Sequence, residues 1–127
     1  MKRNLILVDD DPIFQFGMQH LVKRLTNQVN FSVISSGAEL LEFLSTANME
    51  EIPDVILLDL NMPEMSGWEV LEHLKEIDLG KKVSIYVCSS SINPVDIRKA
   101  NEISIVSEYV IKPIELTELE ELLEAAG

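Results

Sequence analysis

One stretch limits the possible folds more than any other: Asp54-Val-Ile-Leu-Leu-Asp59-Leu-Asn-Met-Pro63-Glu-Met-Ser-Gly67. Four apolar residues end abruptly in a carboxylate, with Pro63 and Gly67 just beyond. A run this short and apolar, bounded by turn residues, reads as a strand buried on both faces, the kind a parallel sheet contains. Open α/β sheets place their ligand crevice at the carboxyl ends of such strands. Asp59 is therefore the leading candidate for a chemically active residue.

The same grammar repeats along the chain. Leu5–Val8 is an apolar run closed by Asp9-Asp10-Asp11, and Pro12 suits a first helical position. Phe14, Met18, Leu21 and Leu25 then recur at helical spacing to about Thr26. Phe31–Ile34 is a second strand. Ser36 and Glu39 form a capping box ahead of a helix with Leu40, Leu41, Phe43 and Leu44 inward, and residues 48–53 make a polar connection. The third strand covers Asp54–Asp59, with a loop over Asn61–Met65. Ser66 and Glu69 repeat the box before a helix carrying Val70, Leu71, Leu74 and Ile77, with Gly80 as its stop. Val83–Cys88 is the fourth strand, closed by Ser89-Ser90-Ser91. Asn93 caps a helix over Pro94–Glu102 that turns Ile97 and Ala100 inward. Tyr109–Ile111 is the fifth strand, ending in Lys112-Pro113. Leu116, Leu119, Leu122 and Leu123 mark the last helix. Five βα units with helical crossovers call for one doubly wound parallel sheet with helices on both faces. No linker or repeat divides the chain, so 1–127 is expected to be a single domain.

Charge and cysteine content narrow the function. A net charge of −12 disfavours direct contact with nucleic acid or an anionic membrane. The lone Cys88 excludes a disulfide framework and reads as a small buried apolar residue. Leu5–Val8 is too short for a signal-peptide core, and no run approaches the roughly 20 apolar residues of a bilayer span. The expected location is cytoplasmic.

In a parallel sheet the strand ends share one edge, so Asp9, Asp10, Asp59, Ser89 and Lys112 can converge. Carboxylates gathered there repel one another unless a cation sits among them. Oxygen ligands select a hard ion such as Mg²⁺. Lys112 supplies a point charge suited to a phosphoryl group, Ser89 a hydroxyl donor, and an Asp carboxylate can itself form an aspartyl-phosphate.

These residues resemble the receiver domain of two-component response regulators, of the chemotaxis-regulator type, over essentially the whole chain. The resemblance implies a flavodoxin-like (βα)5 fold with strand order 2-1-3-4-5. It also implies Asp59 as phospho-acceptor, and Asp9, Asp10, Asp59 and the Asn61 carbonyl as ligands of Mg²⁺. Ser89 falls at the switch hydroxyl, Lys112-Pro113 at the Lys-Pro motif with a cis peptide, and Tyr109 at the aromatic switch position. The expected donor is a histidine kinase or phosphotransfer protein, and the output a contact with a downstream protein, with a phosphorylation-linked dimer left open. Intrinsic phosphotransfer and autodephosphorylation are expected rather than enzymatic turnover. Asp11 lengthens the acidic run to three, and Ile103–Glu108 stands where the family has a Gly before the fifth strand.

Blander readings accompany several of these residues. Asp11 fits a helix N-terminus better than a metal. Ser90 and Ser91 read as loop filler, Tyr109 as a half-buried strand aromatic, and His20 and His73 as surface or core-edge residues. Trp68 could pack or meet a partner. Two rivals to the signalling reading are a Mg²⁺-dependent aspartyl-nucleophile phosphatase and a phosphorylation-independent receiver scaffold. The phosphatase would need a second acid two residues after its nucleophile, where this chain has Asn61. The chain reads as a stand-alone regulator, a phosphorelay intermediate or a fragment of something longer.

Overall fold

Val55–Leu58 is buried at every position and forms the central strand of a five-stranded parallel sheet. In the computed structural model, which describes residues 2–126, the elements are β1 (Arg3–Val8), α1 (Pro12–Lys23), β2 (Val29–Ile34), α2 (Gly37–Thr46), β3 (Val55–Leu58), α3 (Gly67–Leu74), β4 (Ser84–Ser89), α4 (Pro94–Asn101), β5 (Val106–Ile111) and α5 (Leu116–Ala125). The strand order is β2-β1-β3-β4-β5, as the resemblance implies. Met1 and Gly127, the ends of the expected 1–127 domain, lie outside the described residues.

Side chains alternate across a strand, so one sheet yields two cores. Leu5 and Leu7 of β1 join Val55 and Leu57 of β3 against Met18 of α1 and Leu119, Leu122 and Leu123 of α5. Ile6, Val8, Ile56 and Leu58 face the opposite way, against Leu40 and Leu44 of α2, Val70, Leu71 and Leu74 of α3, and Ala100 of α4. Burial on both faces is why the strands are continuous apolar runs.

The boundaries differ from the sequence reading where the chain tightens or lies at an edge. α1 stops at Lys23, short of Thr26, because the Arg24 amide donates to the Leu21 carbonyl and closes a narrower turn. α3 stops at Leu74: Glu76 and Ile77 donate three residues back, and Ile77 is exposed instead of facing the sheet. Gly80 therefore lies beyond the helix, in a turn with φ 74 whose amide donates to Asp78 Oδ1. Only half of the first capping box forms, the Glu39 amide donating to Ser36 Oγ, whereas Ser66 and Glu69 complete theirs. β2 begins at Val29 and β4 includes Ser89. β5 begins at Val106, three residues before the expected start, with a bulge opposite Ile85 and Tyr86. The third strand is shorter than Asp54–Asp59. Asp54 instead pairs with Lys81 at 2.7 Å and accepts the Asn4 amide at 2.7 Å.

Candidate functional site

Sheet register builds the site. Val8 lies opposite Leu58, so the next residues, Asp9 and Asp59, emerge side by side. The Asp59 amide donates to the Val8 carbonyl at 2.9 Å and the Asp9 amide to the Ile34 carbonyl at 3.1 Å, carrying the ladder one step past each strand. Asp9 is fully buried, Asp59 nearly so, and Asp10 exposed. One oxygen from each of Asp9, Asp10 and Asp59 lies within 4.8 Å of the others.

Lys112 enters from β5. Ser89 pairs with Ile111, and the Lys112 amide donates to the Ser89 carbonyl at 2.9 Å. Its Nζ reaches Asp9 Oδ2 at 2.6 Å and lies 3.6 Å from Asp59 Oδ1. The Lys112–Pro113 peptide is cis. Burial pushes the Asp59 carboxyl above the usual carboxylate range and the charge of Asp9 adds to it; Lys112 and the amides of Asn61 and Leu60 counter only part. Burial works against a charged Lys112, yet its hydrogen bond to Asp9 and the charges of Asp59 and Asp9 outweigh that and raise its pKa. The same burial pushes the Cys88 thiol up to about 12, an inert side chain under the site.

The start of α3 must come close to Asp59. A Cβ on Gly67 would stand 2.2 Å from the Asp59 carbonyl oxygen and 2.8 Å from Leu60 Cα. Only glycine fits there, and the Gly67 amide donates to the Leu60 carbonyl at 2.9 Å. This explains the spacing from Asp59 to Gly67 that the sequence displays.

On the other side, Ser89 is buried and its Oγ accepts the Ser91 amide at 3.1 Å. Tyr109 packs in the core and donates its hydroxyl to the Ser91 carbonyl at 2.8 Å. Ser91 Oγ donates to Asp96 Oδ2 at 2.7 Å and accepts the Asn93 amide at 3.2 Å. Ser91 is thus no loop filler. It ties Ser89, Tyr109 and the first turn of α4 together, and a Ser-Ser-Ser run carries no signal for which serine does so.

The remaining residues divide clearly. Asp11 caps α1, accepting the Ile13 amide at 2.9 Å while its own amide donates to Asp9 Oδ1 at 2.9 Å. Asn61 is exposed, and its amide acts on the Asp59 carboxylate. His20 and His73 are exposed. Trp68 is half-buried, with Lys99 Nζ 4.3 Å from its ring centre, so it packs between α3 and α4. Phe14 stands apart from the sequence reading: its ring faces Lys112 Nζ at 4.3 Å instead of serving only the core. A groove of about 830 Å³ at the far edge, between Arg3, Asn27, Thr117 and Glu124, contains none of the strand-end residues.

A doubly wound sheet whose carboxyl edge gathers three aspartates, two of them facing one lysine, is the architecture of a flavodoxin-like signalling domain. Residues 5–124 match the family model of the response regulator receiver domain, and the chain belongs to that family of two-component response regulators. It is 31% identical to the nitrate/nitrite response regulator protein NarL of Escherichia coli (strain K12) over 86 residues, which are 68% of this chain and 38% of NarL. The chain spans about half or less of the first curated relatives it matches. The crystal structure of the phosphorylated cyanobacterial phytochrome response regulator RcpA superposes with a TM-score of 0.79 at 28% identity, covering 98% of this chain and 91% of that one. The Mn²⁺-bound form of response regulator Rcp1 gives 0.76 at 27% identity, covering 97% and 90%. No helix among the described residues is long and apolar enough to cross a membrane.

Proposed function

We propose that Asp59 accepts a phosphoryl group from the phosphohistidine of a histidine kinase or phosphotransfer protein, and that Ser89 and Tyr109 convert this into a change of protein-binding surface. The observation that carries the reading is the pairing of Lys112 with both Asp9 and Asp59, which sets one mobile cation between a fixed carboxylate and a reactive one. An Asp59 oxygen attacks phosphorus, the P–N bond to the imidazole breaks, and the departing nitrogen keeps the electron pair. Lys112 stands within reach of the incoming phosphoryl oxygens. Ser89 would release the Ser91 amide and donate its hydroxyl to one of those oxygens.

Asp9, Asp10 and Asp59, with the Asn61 carbonyl, would hold Mg²⁺; an all-oxygen donor set within 4.8 Å fits such an ion. When bound, the ion neutralises charge on the transferring phosphoryl group.

Output passes through Ser91. Its amide and carbonyl bind Ser89 and Tyr109, and its hydroxyl holds the first turn of α4, so movement at Ser89 loosens all three. Ile92 in the loop before α4, Val95 on α4 and Ile111 on β5 are exposed beside that hub, which supports a protein partner on this face. The charge of −12 argues against nucleic acid. A cytoplasmic location, intrinsic autodephosphorylation without turnover of other substrates, and a phosphorylation-linked dimer belong to the same reading. Asn61 in place of a second acid disfavours a phosphatase.

The test is incubation with Mg²⁺ and acetyl phosphate or fluoroberyllate, followed through Trp68 fluorescence and intact mass, beside Asp59→Asn. Mg²⁺-dependent phosphorylation lost in the variant is expected. Turnover of phosphate monoesters, or no response in the wild type, refutes the proposal.

A further inference from the structure

Lys112 has three neighbours that hold its ammonium. Asp9 Oδ2 lies at 2.6 Å, Asp59 Oδ1 at 3.6 Å, and the centre of the Phe14 ring at 4.3 Å. A cation this close to the face of an aromatic ring is attracted by its quadrupole, and more strongly when water is excluded. The Lys112 side chain is only 15% exposed.

Phe14 is held firmly in place. The Asp11 amide donates to Asp9 Oδ1, and Asp11 Oδ1 accepts the Ile13 amide, so the carboxylate paired with Lys112 also fixes the first turn of α1. Gln15 Nε2 adds a hydrogen bond to the Asp9 carbonyl at 2.6 Å. Phe14 sits between these anchored residues and projects over the lysine.

We propose that Phe14 is a positioning residue: its ring face keeps the Lys112 ammonium at the phosphoryl site while both carboxylates paired with that lysine change their bonding. This rests on Asp59 as the acceptor. Once Asp59 is an acyl phosphate it loses the charge that faces Lys112. A cation held by Asp9 would compete with Lys112 for that carboxylate. The ring is indifferent to both events, because a quadrupole neither ionises nor forms an ester. Phe14 is the one contact of the three that persists through the reaction, and it leaves the ammonium free to turn toward phosphoryl oxygens.

The experiment replaces Phe14 alone, by amber suppression, with 4-fluoro-, 3,5-difluoro- and 3,4,5-trifluorophenylalanine, beside Phe14→Tyr and Phe14→Leu. Fluorination drains the ring quadrupole while leaving shape and burial nearly unchanged. Rates of Mg²⁺-dependent acetyl-phosphate phosphorylation and fluoroberyllate affinity are read by Trp68 fluorescence. The ring-current shift of the Lys112 ε-protons is read by NMR without any reactant, and thermal midpoints check the fold. Rate and affinity should fall progressively across the series, to about three- to ten-fold below wild type in Phe14→Leu. Phe14→Tyr should stay near wild type, and the ε-protons should lose their upfield shift in Phe14→Leu. A flat fluorine series on a reactive wild type, or a Tyr variant as impaired as Leu, overturns the role of Phe14 alone. A wild type that takes up no phosphoryl group overturns the acceptor reading instead.

Discussion

Asp59→Asn should make the unphosphorylated protein more stable at neutral pH. Asp59 and Asp9 have oxygens within 4.8 Å, a repulsion of about 3.5 kcal/mol or more at an effective dielectric of about 20. Lys112 at 3.6 Å returns about 4.6 kcal/mol on the same scale, and the exposed Asp10 takes back about 1 kcal/mol at a water-like dielectric. The charge pairs therefore nearly cancel, and what remains is the cost of burying a carboxylate, in keeping with its raised pKa. Asparagine removes that cost, keeps an oxygen for the Asn61 and Leu60 amides, and leaves Lys112 paired with Asp9 at 2.6 Å. The gain should be about 1–2 kcal/mol, or about 3–8 °C in Tm.

The pH dependence follows from the direction of the shift. Asp59 titrates higher folded than unfolded, so the penalty of its charge is full above the folded pKa and fades as pH falls through it. The advantage of Asp59→Asn should be largest near about pH 7 and gone by about pH 3.5, where the unfolded chain is also protonated. Urea unfolding of both proteins across that range, with and without Mg²⁺, checks it. Mg²⁺ should narrow the gap by stabilising the wild type more. A variant no more stable than wild type at neutral pH, or an advantage that persists in acid, refutes the reasoning.

Other perturbations test neighbouring parts. Gly67→Ala drives a methyl into backbone atoms at 2.2 and 2.8 Å that cannot swing aside, and should cost about 3 kcal/mol in denaturant unfolding. Tyr109→Phe removes the 2.8 Å bond to the Ser91 carbonyl; a loss of about 1 kcal/mol is expected, with faster amide exchange confined to residues 90–97. Cys88, fully buried with its thiol pushed up to about 12, should react with a disulfide reagent only as fast as the protein opens; prompt labelling of the native state would contradict the packing.

The strands and the strand-end charges were legible for one reason. A strand covered on both faces must be apolar throughout, so its end is marked by the first polar residue, and that residue stands at the crevice. β5 breaks the rule because it is an edge strand: Ser107 and Glu108 are exposed, and no apolar run announces its first half. Ile77 and Gly80 misled for the opposite reason. The apolar period continued past Leu74 in sequence while the backbone had already tightened into a turn. Ser91 and Phe14 act through groups that are distant in sequence, the Tyr109 hydroxyl and the Lys112 ammonium, and local pattern carries no trace of either contact.

The sequence reading separates Asp59, as acceptor, from Asp9, as metal ligand, through the motif around Asp59 and the family resemblance, but gives no physical reason for the difference, since each is an aspartate closing a buried strand. The structure distinguishes them by what their oxygens already hold. Asp9 accepts the Asp11 amide on Oδ1 and Lys112 on Oδ2 at 2.6 Å, so both oxygens are engaged and the residue is fully buried. Asp59 faces the same lysine a full ångström further away, beyond hydrogen-bonding distance, and its charge is resisted by burial and by Asp9. A carboxylate that shares its charge with a lysine at hydrogen-bonding distance is a poor nucleophile and a good anchor; one held by the backbone amides of Asn61 and Leu60 alone and pressed by a neighbouring charge is the reverse. That asymmetry, set by how far Lys112 reaches from β5, is the physical ground for the proposal that Asp59 attacks and Asp9 supports.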